Sequence, residues 1–71
     1  MTTMEIGRHQ KLCGKLLRNK KLTITQRAQV VEYSMMLVAA KAAPKKADWA
    51  AIIAFFVKYI LPIIMSLLLG L

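Results

Sequence analysis

One long apolar stretch constrains this chain more than any other feature. It runs from Trp49 to Leu71, and Lys58 is the only charged residue inside it. As a helix it would extend about 34 Å, whereas the hydrocarbon core of a bilayer is about 30 Å thick. A lone segment in lipid has to be helical, because its backbone must satisfy its own hydrogen bonds there. The sequence therefore predicts a transmembrane helix over residues 49–71.

The part of the chain that precedes this stretch is strongly basic. The sequence has 11 Lys and Arg residues against 3 Asp and Glu, a formal net charge of +8, and all but one of the cations come before Trp49. Cations concentrated on one flank of a span predict a cytoplasmic or interior N-terminus and attraction to anionic lipid headgroups. We therefore expect a single-pass integral membrane protein. The single cysteine, Cys13, excludes an internal disulfide framework.

Residues 1–22 are predicted to form a basic amphipathic helix or arm. An isolated helix of this length is marginal in water, so we expect it to form on a membrane surface or in the groove of a partner. A solvated, disordered arm is the alternative. Contact with nucleic acid through phosphates is a further option, although no aromatic residues are interleaved for stacking on bases. Helical spacing places four cations on one side, here called the basic face: Arg8, Lys11, Lys15 and Arg18.

Residues 23–43 are predicted to form a second helix. Thr23 and Gln26 have the spacing of a capping box at its start. The apolar run is only about 14 residues long and contains Glu32, which favours a helix that lies flat on the bilayer or packs against a partner protein. A hairpin of two spans is the alternative, but it would carry cations to the non-cytoplasmic side. The predicted apolar side consists of Val31, Met35, Val38, Ala39 and Ala42.

Residues 44–48 are predicted to be a hinge at the membrane surface. Pro44 ends the preceding helix, because it has no amide hydrogen to donate. Lys45 and Lys46 follow at the level expected for lipid headgroups, and Trp49 is placed as an interfacial aromatic anchor. The sequence thus predicts where the chain meets the bilayer.

Two residues disturb the predicted span near its middle. A lysine at the centre of a membrane helix costs about 2.5–3.5 kcal/mol on insertion scales. Lys58 therefore either snorkels toward the surface at which the span begins or meets a partner carboxylate, a lipid phosphate or a water-filled path. Pro62 removes the helical hydrogen bond to the Lys58 carbonyl and is expected to kink the helix. The two together are the candidate for an intramembrane contact.

The sequence offers little for catalysis or metal binding. Glu5, His9 and Cys13 would share one side of a helix, but a structural zinc site takes four ligands, so no metal or cofactor is expected. Paired carboxylates, a nucleophile with its base and a glycine-rich phosphate loop are all missing from the pattern. We therefore expect a protein that is not an enzyme.

These features together predict an all-α membrane protein with an N-terminal amphipathic helix, a second apolar or interfacial helix and one C-terminal transmembrane helix. The expected role is a structural or accessory subunit of a larger membrane-associated assembly, such as a respiratory or translocation complex or the membrane layer of a lipid-containing virion. Expected partners are anionic headgroups, larger protein subunits and a second copy of the chain. The alternative is a membrane-permeabilising effector, such as a phage lysis protein, a holin-like peptide or a toxin.

Overall fold

A computed structural model describes residues 2–70, and its regular structure in that range is entirely helical. Helix α1 spans Thr3–Leu17, helix α2 spans Ile24–Ala42, and the continuous helix α3 spans Trp49–Leu69. The residues described contain no strand. The expectation of an all-α chain is therefore confirmed for residues 2–70, and Leu71, the last residue of the predicted span, lies outside them.

Short polar side chains define where each helix begins. The Thr2 hydroxyl accepts a hydrogen bond from the Glu5 amide at 3.2 Å, and the Asp48 carboxylate accepts one from the Ala51 amide at 3.0 Å. These bonds satisfy amides that have no partner inside the first helical turn. Helix α3 therefore begins immediately after the predicted hinge.

The predicted capping box at the start of α2 is confirmed. The Gln26 amide donates to the Thr23 hydroxyl at 3.1 Å, and the Thr23 amide donates to the Gln26 side chain at 3.0 Å. One turn further on, the Arg27 guanidinium donates to the Leu17 carbonyl at 2.6 Å. The last carbonyls of a helix lack internal partners and attract cations, so Arg27 fastens the start of α2 to the end of α1.

Helix α2 lies between α1 and α3 and runs antiparallel to both. Its last turns line a groove with the first turn of α3, and its first turn lies beside Ser66, Leu67 and Gly70 at the other end of α3. The bundle measures 38 × 19 × 19 Å. Helices α1 and α2 together are here called the hairpin.

Each helix contributes one apolar side to a shared core. On α2 the buried positions recur at helical spacing, and Tyr33 is completely inaccessible to solvent. On α3 the spacing is wider because a π-helical turn interrupts the helix. The buried core residues are Ile6, Cys13 and Leu16 of α1, Leu22 of the turn, Val30, Tyr33, Leu37 and Ala40 of α2, and Ile52, Ile60 and Ile63 of α3.

The core side of α2 is not the apolar side that the sequence predicts. Val31, Met35 and Val38 are 42, 67 and 57% exposed and point away from the other helices. Helix α2 is apolar on two opposite sides, so helical periodicity alone cannot show which side packs inside the chain. The predicted apolar side is therefore an outer surface of the bundle. Helix α2 packs against α1 and α3 through its opposite side, which the prediction missed.

Helix α3 changes its winding halfway along. Its first part, Trp49–Phe55, and its last part, Leu61–Leu69, are α-helical, whereas Phe56–Ile60 is π-helical. In the π turn the Leu61 amide donates to the Phe56 carbonyl, five residues back. Pro62 comes directly afterwards and has no amide hydrogen, and local π winding is a known accommodation of such a break. A π turn therefore precedes Pro62, and the kink expected at Pro62 stays a prediction.

Candidate functional site

The outer side of α3 leaves a row of apolar side chains exposed. The helix has 21 residues and a mean hydropathy of 2.4 in its most apolar window, of which only 17% is buried inside the bundle. Five side chains along this side, here called the apolar stripe, are Ile53, Val57, Leu61, Met65 and Leu68.

The inner side of α3 meets the hairpin through aromatic rings. The ring of Tyr33 stacks on Phe55 with centroids 6.0 Å apart and lies 5.7 Å from Phe56. The imidazole of His9 makes an edge contact with Phe56 at 5.0 Å. These four residues, here called the aromatic cluster, come from all three helices and bring them together at the level where the π turn begins.

One hydrogen bond connects α1 and α2 inside this cluster. The Tyr33 hydroxyl lies 2.7 Å from His9 Nδ1. A buried hydroxyl without a partner would cost about 1–3 kcal/mol, so this bond allows Tyr33 to occupy the core. Burial, followed by the nearby Cys13, raises the pKa of Tyr33 to about 12. The hydroxyl thus keeps its proton at neutral pH.

The three residues considered as metal ligands do not form a site. The Glu5 carboxylate accepts from the Thr2 hydroxyl at 3.3 Å, and His9 Nδ1 is engaged with Tyr33. Cys13 is a buried free thiol whose pKa is raised by burial. Across residues 2–70, three or more His, Cys, Asp and Glu side chains nowhere converge in a way that would hold a metal ion.

The basic face lies on the outside of α1, where all four of its residues are exposed. Because His9 contacts Phe56, this part of α1 lies beside the middle of α3. The turn between α1 and α2 lies beside the far end of α3, where Lys21 and Gly70 line the same groove. The cations are thus distributed along α3 and are not gathered at its beginning.

The predicted membrane-surface residues surround the start of α3. Lys45 and Lys46 are exposed in the turn before the helix, and the Lys46 amide donates to the Ala43 carbonyl at 3.1 Å. Trp49 is half-buried and packs against the core. Beside it, small side chains of α2 and α3, mostly alanine, leave a groove of about 360 Å³ with Lys46 at its edge.

Lys58 is exposed and lies on the π turn. Its Nζ is 5.3 Å from the centroid of the neighbouring Tyr59 ring, a cation–π geometry. That ring lies in turn 4.7 Å from Phe55 of the aromatic cluster. An aromatic face partly compensates a cation that leaves water, and the choice between snorkelling and contact with a partner stays a prediction.

Comparison with protein-family models, with curated proteins and with solved structures gives no match for this chain. Sequence reasoning missed the aromatic cluster, because His9 and Tyr33 are 24 residues apart and no local pattern connects them. The only usable signal was the helical spacing of Tyr33 with Val30 and Leu37, which marks a second apolar side of α2.

Proposed function

We propose that this chain is a non-enzymatic, single-span membrane protein that serves as a small structural or accessory subunit of a larger membrane-associated assembly. The observation that supports this proposal is the apolar stripe, which no other part of the described chain covers. Apolar surface exposed to water costs roughly 25 cal/mol per Å², so a bilayer or an apolar partner is its natural environment. At about 1.5 Å per residue, α3 has the length that a bilayer requires.

The proposed orientation keeps the N-terminus on the cytoplasmic or interior side. Lys45 and Lys46 would stand at the headgroups of that leaflet, and the basic face would contact anionic lipids or acidic surfaces of larger subunits. Lys58 and Pro62 would be the point at which a partner meets the span. The Lys58 ammonium contacts the ring of the neighbouring Tyr59 and still has N–H donors left for a carboxylate.

The test is a pull-down of the full, tagged chain from membranes in a mild detergent, with identification of the copurifying chains by mass spectrometry. We expect larger chains in fixed stoichiometry. Lys58→Leu should keep the chain in the membrane but weaken that association, whereas Lys41→Leu, a matched change outside the span, should not. Recovery of the chain alone, together with depolarisation of the membranes that contain it, would reject the subunit role.

The alternative role of a membrane-permeabilising effector is favoured by one observation, the exposed Lys58 on a π turn of an otherwise apolar helix. π turns are frequent at functional positions of helices, and a cation inside a span often marks an ion or water path. An effector should arrest growth and release ions when it is expressed alone, and Lys58→Leu should abolish both effects. A subunit should be harmless under the same conditions.

A further inference from the structure

We infer that the hairpin is a removable cover for α3, and that α3 enters a bilayer only after the hairpin has separated from it. This inference rests on the proposed membrane function of α3. It adds a second role for residues 3–42: they shield the inner side of the span before insertion and become a basic surface-binding element afterwards.

The geometry prevents the hairpin from staying on one side of a bilayer that α3 crosses. The last turn of α2 meets the first turn of α3, Tyr33 meets Phe55 and Phe56 near the middle, and Gln26 lies beside Leu67 near the end. Helix α2 therefore accompanies α3 along its whole length. In the closed arrangement, whatever depth α3 reaches, the hairpin reaches as well.

The charges of the hairpin would then lie in hydrocarbon. Phe56 is about 10 Å along α3 from Trp49, and His9 beside it brings Arg8 and Lys11 to a similar depth. Lys15 and Arg27 lie about 9 Å further along, still within a core about 30 Å thick. Each of these exposed cations would add the kind of cost already described for Lys58, so the closed bundle does not fit inside a bilayer.

The contact between the hairpin and α3 is of a kind that lipid replaces well. Ile52, Phe55, Phe56, Ile60 and Ile63 are apolar side chains, and lipid tails solvate such groups about as well as a protein interior does. The force that holds the cover on α3 in water therefore largely disappears in a membrane.

The hairpin has its own bonds, which do not involve α3. Arg27 donates to the Leu17 carbonyl, and Tyr33 pairs with His9. The hairpin can therefore stay together when α3 leaves. Its apolar side, freed from α3, and its basic face together make an amphipathic surface that suits an anionic membrane. Residues 43–48 connect the two parts and span up to about 20 Å when extended.

The decisive experiment joins the cover to α3 with a cleavable link. In a Cys13→Ala background, Met36→Cys and Ala51→Cys place thiols on α2 and α3 in the same groove. A short thiol-reactive cross-linker that contains a reducible disulfide then locks the bundle. A control pair, Val31→Cys with Met35→Cys, places the same link within the exposed side of α2, one turn apart, and leaves α3 free.

The measurement is the fraction of the full chain that resists alkaline extraction from vesicles of zwitterionic and anionic phospholipid. We expect the α2–α3 link to lower this fraction at least fivefold and reduction of the link to restore it, whereas the control link should have no effect. Equal insertion of the linked and reduced forms would overturn the cover while leaving the membrane function intact. Failure of every form, including the natural chain, to resist extraction would overturn both.

Discussion

Helices α1 and α3 pack in the same direction against α2, but their outer surfaces differ completely. Both turn apolar side chains inward. Outward, α1 presents the basic face, whereas α3 presents the apolar stripe. The inner sides explain how the bundle closes, and the outer sides determine which solvent each helix prefers. The bundle thus joins α1, whose exposed side is charged, to α3, whose exposed side is apolar.

The largest expected effect comes from neutralising the basic face of α1. Replacing all four residues of the basic face with glutamine should lower the preference of the chain for anionic over zwitterionic vesicles by about a thousandfold, because each cation near an anionic surface contributes about 1 kcal/mol. Cosedimentation with both kinds of vesicle at low salt measures this ratio. Exchanging Lys for Arg and Arg for Lys at the same positions is the matched control, and an unchanged ratio in the glutamine variant would show that α1 does not face the membrane.

The next effect concerns the outer side of α3. Leu61→Arg puts a cation about 18 Å from Trp49, close to the middle of α3, and should disfavour the proposed insertion by about 2.5–3.5 kcal/mol. The alkali-resistant fraction at equilibrium should fall accordingly. Lys58→Leu removes a charge from the same helix and should raise that fraction. If Leu61→Arg inserts as well as the natural chain, the apolar stripe does not meet lipid.

A smaller effect is expected from a change on the inner sides of α1 and α2, where Tyr33 and His9 form a hydrogen bond. Tyr33→Phe keeps the ring but removes the hydroxyl that bonds to His9, which should lower the free energy of unfolding of the closed bundle by about 1–2 kcal/mol. Urea unfolding followed by circular dichroism at low protein concentration measures this loss. Tyr33→Phe leaves the basic face and the apolar stripe unchanged, so the binding of these outer surfaces to vesicles should not fall.

The same variant isolates a pH dependence. Since burial raises the pKa of Tyr33 to about 12, the closed bundle favours the neutral phenol. The corresponding stability is fully present below pH 10 and is lost as the pH rises toward 12. Unfolding curves collected across this range should show a steeper decline in the natural chain than in Tyr33→Phe, which retains only the decline due to other groups such as the buried Cys13. Parallel declines in both proteins would mean that the phenol does not lie in the core.

The smallest effect lies at the start of α2. Thr23→Ala removes the hydroxyl of the capping box and should cost about 1 kcal/mol of bundle stability, with no change in either outer surface. Thr3→Ala, a change at an exposed threonine inside α1, serves as the control. Thermal unfolding of the two variants side by side provides the comparison. Equal midpoints would indicate that the hydrogen bond which the Thr23 hydroxyl accepts from the Gln26 amide makes no net contribution to stability.

Local signals predicted local structure well. Thr23 with Gln26 marked the start of α2, Pro44 marked the break after it, and the apolar composition after Asp48 marked α3. In each case the atoms that fix the structure are within a few residues of one another. Pro62 led to the prediction of a kink and not of the π turn that precedes it, because α- and π-helical turns use the same residue types.

The assembly of the helices could not be predicted in this way. His9, Tyr33 and Phe56 meet because three helices pack, and nothing in the spacing of one helix specifies its neighbours. The two apolar sides of α2 made the choice of its inner side ambiguous, and Val31, Met35 and Val38 proved to be outside. The basic face, in contrast, was predicted as a set, because a charged stripe is exposed wherever its helix packs.

The π turn at Phe56–Ile60 also sets the rotational register of α3. It contains about one residue more than an α-helical turn, which rotates the second half of the helix by about 100° relative to an uninterrupted α-helix. Ile52 and Ile60, which would be about 80° apart around an α-helical axis, are brought to the same buried side. The turn is therefore the structural equivalent of a one-residue insertion. Deleting the exposed Val57 would shorten the helix by about 1.5 Å while leaving the same side chains directed at α2.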